Sequence, residues 1–180
     1  VVAYDDSGGA YAARLWWLLR WLGHTKVAVL DGGYAAWKAA GLPSLISASS
    51  VAARHFVPRP DRGLYVTGDD LGELLAQQKC TLLDARAPER FEGRVEPLDP
   101  RAGHIPGARN FHFARNLAAD GRFLPAHSLA EQFRSALRTR PPDSVVAMCG
   151  SGVTACHNLL ALEVAGMPGA RLYVGSFSEW

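Results

Sequence analysis

An internal repeat constrains the fold of this chain more than any other feature of its sequence. Residues 1–8, which read Val-Val-Ala-Tyr-Asp-Asp-Ser-Gly, align with residues 145–152, which read Val-Val-Ala-Met-Cys-Gly-Ser-Gly. The match continues through spaced identical pairs, the last three after a shift of one residue: Leu15 with Leu159, Leu18 with Leu162, Gly23 with Gly166, Gly32 with Gly175 and Trp37 with Trp180. Each copy predicts a strand, a Gly-rich loop, a helix, a glycine and a second strand. That order makes a right-handed crossover and a parallel sheet.

The second copy carries the clearest local signals. Its first segment, residues 145–148, is an apolar run typical of a buried parallel strand. Residues 153–165 hold leucines at helical spacing, and Gly166 with Pro168 is expected to end that helix before a strand at residues 171–174.

Upstream of the second copy, the chain supplies the rest of a domain. We predict a helix at residues 67–78 capped by Thr67, a strand at 81–85 and an amphipathic helix at 129–137. The Gly-, Pro- and Arg-rich residues 86–127 are predicted to be mostly loop. The first copy has no such upstream half, because residue 1 falls at its central strand.

These elements together predict an α/β fold with a central parallel sheet flanked by helices. Residues 1–43 are expected to be the C-terminal half of a first domain and residues 44–65 an interdomain linker. Residues 66–180 are expected to form the second domain. Because half a domain cannot bury both faces of its sheet, we expect the natural protein to be longer at its start.

Composition argues against several classes of protein. The net charge of +2 is too small to indicate nucleic-acid binding, and no apolar run reaches the roughly 18 residues of a membrane span. No secretory signal is recognisable, so we expect a cytoplasmic protein. The three cysteines do not suggest a disulfide scaffold, and none of them forms the CxxC spacing of a zinc site. Of the usual roles of cysteine, a single reactive thiol is the one that these observations leave open.

The basic residues are mostly arginines, with 16 Arg against three Lys, and six Arg fall between residues 84 and 115. Arginine recognises carboxylate, phosphate or sulfonate-like groups through its forked donors. The same stretch holds five acidic residues. A solvated face of mixed charge is therefore an equally good interpretation.

Cys149 lies where the predicted strand of the second copy meets a Gly-rich loop that opens the next helix. Gly150 and Gly152 let the backbone curl tightly, so the N–H groups of residues 150–154 can point at the sulfur. With the positive end of the helix, they would stabilise a thiolate and the negative outer sulfur of a persulfide. The alternative is that Cys149 is a small buried hydrophobe. The first copy has Asp5 at the equivalent place and is expected to be inactive.

A cysteine phosphatase is the nearest chemical rival. Its loop needs an arginine after five residues to hold the dianionic phosphoryl group. Position 155 is Ala, so the loop is one residue too short and lacks the clamp. We therefore reject this class.

Five groups of residues together resemble the tandem-domain rhodanese-type sulfurtransferases, over nearly all of the chain. These are Trp16-Trp17 with Leu30-Asp-Gly-Gly33 and Trp37, Leu83-Asp-Ala-Arg86, Gly103-His-Ile-Pro-Gly-Ala108, Cys149-Gly-Ser-Gly-Val-Thr-Ala155, and Gly175-Ser-Phe-Ser-Glu-Trp180. The resemblance implies a catalytic rhodanese-like domain at residues 66–180 and the C-terminal half of an inactive one at residues 1–43.

The resemblance also implies a reaction. The neutral Gly150-Ser151 pair is similar to the 3-mercaptopyruvate branch of the family, with thiosulfate as the alternative donor. Cys149 would take the outer sulfur of this small-molecule donor as a persulfide, and a thiol such as thioredoxin, or cyanide, would remove it. No metal or organic cofactor is implied. Ser151 would polarise the substrate or relay a proton, or else would simply cap the helix.

The implied substrate contacts are two arginines and the loop. Arg90 matches the first of two arginines that hold the carboxylate and carbonyl of mercaptopyruvate in that branch. Where the family commonly has Glu-Pro-Arg, this chain has Glu96-Pro-Leu98, so Arg101 is the substitute, unless it is an ordinary surface arginine. The loop residues expected to surround the substrate are Gly150, Gly152, Val153 and Thr154.

The remaining chemically active side chains are interpreted as structural. Asp84 and Arg86 are expected to form an ion pair or loop anchor, and His104 is expected to make a hydrogen bond within a turn. Cys80 and Cys156 are expected to be unreactive. A second hypothesis for the whole chain is a non-catalytic rhodanese-like module that carries a persulfide or binds a partner protein.

Overall fold

The computed structural model describes residues 1–47 and 51–180 of the chain. The first copy of the repeat forms a two-stranded parallel sheet with two helices: β1 Val2–Ala3, α1 Ala10–Trp21, β2 Ala28–Val29 and α2 Gly33–Ala39. The second copy has the same order: β6 Val145–Met148, α6 Ala155–Val164, β7 Arg171–Tyr173 and α7 Ser176–Glu179. The predicted order of strand, helix and strand is therefore confirmed in both copies.

The second copy belongs to a parallel sheet of five strands in the order β3-β7-β6-β4-β5. The elements upstream of it are β3 Tyr65–Val66, α3 Gly68–Ala76, β4 Thr81–Asp84, α4 Pro88–Phe91, β5 Arg109–Asn110 and α5 Ala126–Leu137. The predicted α/β fold with helices flanking a central parallel sheet is thus confirmed. Single 3-10 turns occur at Arg62–Leu64, Phe113–Asn116 and Pro142–Ser144.

Some element boundaries differ from the sequence predictions. Helix α6 begins at Ala155 rather than at residue 153, because the preceding loop forms a tight turn at Gly152, where φ is 77°. The region 86–127 holds the short helix α4 and the edge strand β5, which has too few residues to show an alternating pattern. Helix α3 begins at Gly68 with Thr67 as its N-cap, as predicted, through a capping box with Asp70, and it ends at Ala76, two residues before the predicted end.

The two copies pack against each other through their first helices. Ala13, Trp16 and Trp17 of α1 share one apolar cluster with Cys156 and Leu159 of α6. Both tryptophans are almost fully buried, with 6% and 4% of their surface exposed. Residues 1–43 therefore share a core with the larger unit, although their assignment as a separate half domain stays a prediction. None of the helices in the described ranges is long and apolar enough to cross a membrane.

A buried polar network joins the copies at His157 of α6. Its Nε2 donates to the Gly8 carbonyl at 3.0 Å, and its Nδ1 accepts from Asn116 Nδ2 at 3.1 Å. The same Asn116 amide donates to Asn158 at 2.7 Å. Because burial outweighs the Gly8 bond and the Asp5 charge, the pKa of His157 falls to about 4.

Candidate active site

The site lies at the carboxyl end of β6, in the middle of the five-stranded sheet. The chain leaves β4 toward the outer strand β5 and leaves β6 toward β7 on the other side, so a crevice opens between them. Register pairs Asp84 with Met148, and the Ala85 N–H donates to the Met148 carbonyl at 2.8 Å. The segments that follow both strands therefore meet at Cys149.

The Cys149 loop is held by backbone contacts on both sides. Sγ of Cys149 accepts the Gly152 N–H at 3.1 Å, a contact that the left-handed conformation of Gly152 permits. A Cβ at this position would lie 3.1 Å from the Val174 carbonyl oxygen, so any other residue would be both strained and crowded. On the other side, the Gly150 carbonyl accepts the Ser178 N–H at 3.0 Å and the Ser178 hydroxyl at 2.8 Å.

Cys149 is 97% buried, since only 3% of its surface is exposed, yet it lines an open pocket of about 540 Å³. The polar and charged side chains of the pocket come from the first copy and from five further places in the chain: Ser7, Tyr11, Arg86, Arg90, Asp99, His112, Ser151, Thr154 and Ser178. Cys149 thus packs against an apolar cluster on one side and borders the pocket on the other. The pocket distinguishes it from a cysteine that is enclosed on all sides by an apolar core.

The equivalent loop of the first copy shows what this backbone shape binds. Both carboxylate oxygens of Asp5 accept backbone N–H groups, at 2.8 to 2.9 Å, from Ser7, Gly9, Tyr11 and Ala12. Burial raises the pKa of Asp5, but these four donors outweigh it and leave the pKa below its usual value. The loop of the first copy is thus a nest for an anion. The ring of amides predicted from residues 150–154 around Cys149 is reduced, in the part of the chain that the structure describes, to one contact. In the second copy, within the described residues, Gly152 supplies the amide that reaches the shorter Cys149 side chain.

Arg90 lies over the loop, with both terminal nitrogens 3.6 Å from the position that a Gly150 Cβ would occupy. Its guanidinium is already paired, with Glu96 at 2.6 Å and Asp99 at 3.1 Å. The Ser178 hydroxyl oxygen also lies 2.6 Å from the other oxygen of Asp99, so its single hydrogen is shared between Asp99 and the Gly150 carbonyl. Arg90, which the sequence predicts to bind substrate, therefore lines the pocket, but its guanidinium is already paired with two carboxylates.

Arg101 and Leu98 have different positions around this pocket. Leu98 lines its rim and is 77% exposed. Arg101 is exposed, and it does not occur among the described residues that line the pocket. Its proposed role as the second substrate arginine stays a prediction that this arrangement does not favour.

A buried ion-pair network supports the wall of the site. Arg86 bonds Asp84 at 2.7 Å and Glu96 at 3.3 Å, and its guanidinium lies 3.9 Å from the Phe177 ring centre. Burial raises the pKa of Glu96. The bond from Arg90 and two backbone donors lower this pKa by more than burial raises it, so the pKa of Glu96 is below its ordinary value. Asp84 and Arg86 form the ion pair that the sequence predicted, and this pair holds Glu96 beneath Arg90.

Ser151 is exposed and lines the pocket. It does not cap α6, because the N-cap position is Thr154 and that cap has no side-chain hydrogen bond. The structural interpretation of Ser151 as a helix cap is therefore wrong. Ser151, like Val153 and Thr154, lines the pocket in which a substrate would lie.

The other side chains interpreted as structural occupy structural positions. His104 bonds the Phe91 carbonyl at 2.7 Å and stacks on the Phe91 ring. Burial raises the pKa of Cys156 to about 12 and also raises that of Cys80, so both favour the thiol form. The described residues hold no group of three or more His, Cys, Asp or Glu side chains arranged for a metal ion.

Sequence reasoning missed four pocket residues: Tyr11, Asp99, His112 and Ser178. Burial lowers the pKa of His112 despite the nearby Glu89 charge, so its imidazole is neutral near pH 7. These residues lie far apart along the chain, and only Ser178 belongs to a segment that the sequence singled out, Gly175-Ser-Phe-Ser-Glu-Trp180. The repeat could have indicated Tyr11, because it aligns with Ala155, the residue that follows the second loop.

Comparison with known proteins gives consistent matches. The family model of the rhodanese-like domain matches residues 1–40 and 67–180. A probable 3-mercaptopyruvate sulfurtransferase of Pseudomonas aeruginosa is 56% identical over 100% of this chain and 64% of its own length. A thiosulfate sulfurtransferase of Gallus gallus is 35% identical, over 100% of this chain and 63% of its own length. This chain therefore spans a little under two thirds of these relatives.

A solved structure shows the same architecture. SseA from Escherichia coli, described with the rhodanese fold and catalytic mechanism of 3-mercaptopyruvate sulfotransferases, superposes with a TM-score of 0.82 and 33% identity. The superposition covers 99% of this chain and 66% of that one. The two copies and the sheet order described above thus agree with an experimentally determined fold.

Proposed function

The chain belongs to the rhodanese-like domain family, and on this premise we propose that it transfers sulfur from 3-mercaptopyruvate, through a persulfide on Cys149, to a thiol. The observation that carries the proposal is the position of Cys149 Sγ. It lies at the base of an open pocket, 3.1 Å from the Gly152 N–H, in a loop whose duplicate binds a carboxylate. The relatives named as sulfurtransferases support the same reaction class.

The proposed first step moves one sulfur atom. The Cys149 thiolate attacks the donor sulfur, an S–S bond forms, and the C–S bond of 3-mercaptopyruvate breaks with its electron pair going to carbon. The proton of the transferred S–H ends on that carbon, so pyruvate leaves and Cys149 carries an anionic persulfide. Ser151, exposed in the pocket, would donate to the developing oxyanion of the donor.

The second step returns the enzyme to its starting state. An acceptor thiolate, such as that of a thioredoxin, attacks the outer sulfur, and the S–S bond to Cys149 breaks with its electron pair returning to Sγ. Cyanide can serve as an alternative acceptor. The Gly152 amide and the positive end of α6 would stabilise the anionic sulfur before and after transfer. A reducing compartment such as the cytoplasm suits a free thiolate of this kind.

Donor preference can be tested at Asp99. If the donor carboxylate binds Arg90, Asp99 competes with it, because its oxygen already lies 3.1 Å from the guanidinium. We expect Asp99→Asn to lower the KM for 3-mercaptopyruvate by about 3- to 10-fold, the loss of a competing ion pair of about 0.7–1.4 kcal/mol. Asparagine keeps the shape that receives the Ser178 hydroxyl.

The matched control is Glu92→Gln, which neutralises a carboxylate of the exposed Arg94–Glu92 pair. It should leave the KM unchanged. A higher KM in Asp99→Asn would mean that Asp99 orients Arg90 for the donor instead of competing with it.

The test of the proposed function is mass spectrometry of the protein after incubation with 3-mercaptopyruvate and, in parallel, with thiosulfate. We expect a gain of one sulfur atom that maps to the peptide containing Cys149, with one equivalent of pyruvate released from the first donor. Cys149→Ser should gain nothing, while Cys156→Ser should be labelled normally, because that buried thiol stays protonated. No labelling by either donor, or labelling that persists in Cys149→Ser, refutes the proposal.

A non-catalytic persulfide carrier is the second candidate, favoured by the two carboxylates that occupy Arg90. A carrier would hold a persulfide that another protein delivers, without cleaving 3-mercaptopyruvate itself. With excess dithiothreitol present to remove the outer sulfur, an enzyme releases many equivalents of pyruvate per chain, whereas a carrier releases almost none. Counting pyruvate over time therefore separates the two functions.

A further inference from the structure

Arg14 belongs to α1 in the first copy, yet its side chain reaches the catalytic loop of the second. Its Nη1 donates to the Gly152 carbonyl at 3.3 Å and lies 3.7 Å from Cys156 Sγ. The guanidinium is supported from below by Trp17, whose ring centre lies 5.1 Å from the central carbon. Arg14 is thus a contact across the repeat, between residues 138 positions apart.

Gly152 connects this arginine to the nucleophile. Its N–H donates to Cys149 Sγ at 3.1 Å, while its carbonyl accepts from Arg14 and from the Cys156 thiol at 3.3 Å. The carbonyl contacts fix the orientation of a glycine whose left-handed backbone would otherwise have wide freedom. The N–H and the carbonyl of Gly152 belong to two peptide planes that join at its Cα. Contacts that hold the carbonyl therefore act on the N–H by restricting the φ and ψ angles of this glycine.

Charge distinguishes Arg14 from the other arginines near the loop. Arg86 and Arg90 are each paired with two carboxylates. None of the ion pairs found among the described residues includes Arg14. Its side chain is only partly exposed, so its positive charge is not fully screened by water and acts on the loop.

We propose that Arg14 is a positioning residue for Cys149: it holds the Gly152 carbonyl so that the Gly152 amide faces the sulfur, and its unpaired charge favours the thiolate and the persulfide. The inference rests on the proposed sulfur transfer for its purpose. The copy of the repeat that has lost its own nucleophile thereby completes the site of the other copy. Cys156 has the lesser role of a second donor to the same carbonyl.

The test compares Arg14→Gln with Arg20→Gln. Arg20 is a matched control because it lies on the same helix, covers Trp16 and bonds Glu163 of α6 at 3.4 Å, so its loss removes an inter-copy contact without touching the loop. The readout is the rate of alkylation of Cys149 by iodoacetamide across pH, followed by peptide mass spectrometry. We expect Arg14→Gln to move the alkylation midpoint up by about one pH unit and to slow reaction at pH 7 by about tenfold.

Arg20→Gln should leave the midpoint where it is in the unmodified protein. An unchanged midpoint in Arg14→Gln, or an equal shift in Arg20→Gln, overturns the proposal. If Arg14→Gln does not fold, Arg14→Lys replaces it. Lysine keeps the charge but loses the rigid fork, so we expect a smaller upward shift, and an unchanged midpoint overturns the positioning role. Alkylation needs no sulfur donor, so this result stands apart from any failure of sulfur transfer.

Discussion

Replacing Arg86 by methionine should lower the free energy of unfolding by about 3–5 kcal/mol, because it leaves the buried Asp84 carboxylate without its cation and removes one of the two cations that hold Glu96. The side chains of Arg86, Asp84 and Glu96 are 1%, 0% and 4% exposed. Arg86 also donates to the Gly103 carbonyl at 2.8 Å, which anchors the following loop. Removing one partner from such a network costs more than the pair itself contributes.

Urea denaturation of Arg86→Met and Arg94→Met provides the measurement. Arg94 pairs with Glu92 at 2.6 Å, but those side chains are 64% and 52% exposed, so its loss should cost less than about 1 kcal/mol. Equal losses in the two variants would show that the buried network does not stabilise the fold as its geometry indicates. Because Glu96 also holds Arg90, we expect any folded Arg86→Met to bind the donor more weakly.

Acidification from about pH 6.5 to pH 4 should remove about 3 kcal/mol of stability through His157 alone. Its folded pKa is about 4, against an ordinary value of 6.5, and each unit corresponds to about 1.4 kcal/mol. The sign follows from the depressed pKa: the unfolded chain takes up the proton first, so the stability present above pH 6.5 is lost as pH falls toward 4.

Chemical denaturation at several pH values tests this, with His157→Asn as the comparison. The variant starts less stable but should lose much less between pH 6.5 and 4. Burial also lowers the pKa of His112, so a small common slope remains in both proteins. The carboxylates with lowered pKa, Asp5, Asp70 and Glu96, also cost stability as pH falls into the ordinary carboxyl range, and they do so in both proteins. Parallel slopes in the two proteins would contradict the assignment to His157.

The two loops of the repeat put one backbone shape to two uses. In the first copy a carboxylate accepts four amides and has become a structural anchor. In the second copy a shorter thiol accepts one amide and faces an open pocket. The pocket leaves room above Cys149 Sγ for the outer sulfur that the proposed reaction would place there. Duplication followed by loss of the nucleophile in one copy accounts for this pair.

The pocket also suggests why donor choice is not settled by the loop alone. Its two arginines face three carboxylates, Asp84, Glu96 and Asp99, so the pocket has no surplus of positive charge to attract a dianion such as thiosulfate. A monoanionic donor needs to displace only the partly exposed contact between Arg90 and Asp99. This balance is the physical reason for preferring 3-mercaptopyruvate in the proposal.

The sequence by itself determined the parallel α/β fold, the position of Cys149 and the equivalence of Asp5. These depend on local pattern: apolar strands, glycine at fixed spacings, and a loop that opens a helix, each repeated twice within the chain. It also identified the Asp84–Arg86 pair, because the two residues are close in sequence and follow a buried strand. Local patterns of this kind can be recognised in the sequence without knowing which other parts of the chain pack against them.

Only the tertiary structure decided which distant groups act on that cysteine. Arg14 donates to the Gly152 carbonyl, Asp99 pairs with Arg90, and Ser178 donates to the Gly150 carbonyl. No local pattern indicates these contacts, although Ser178 lies in a segment that the sequence singled out. Arg101, which its sequence neighbourhood nominated, points to no described part of the pocket lining. Side-chain charges act through space, so their partners depend on how the helices and strands pack, which no local pattern records.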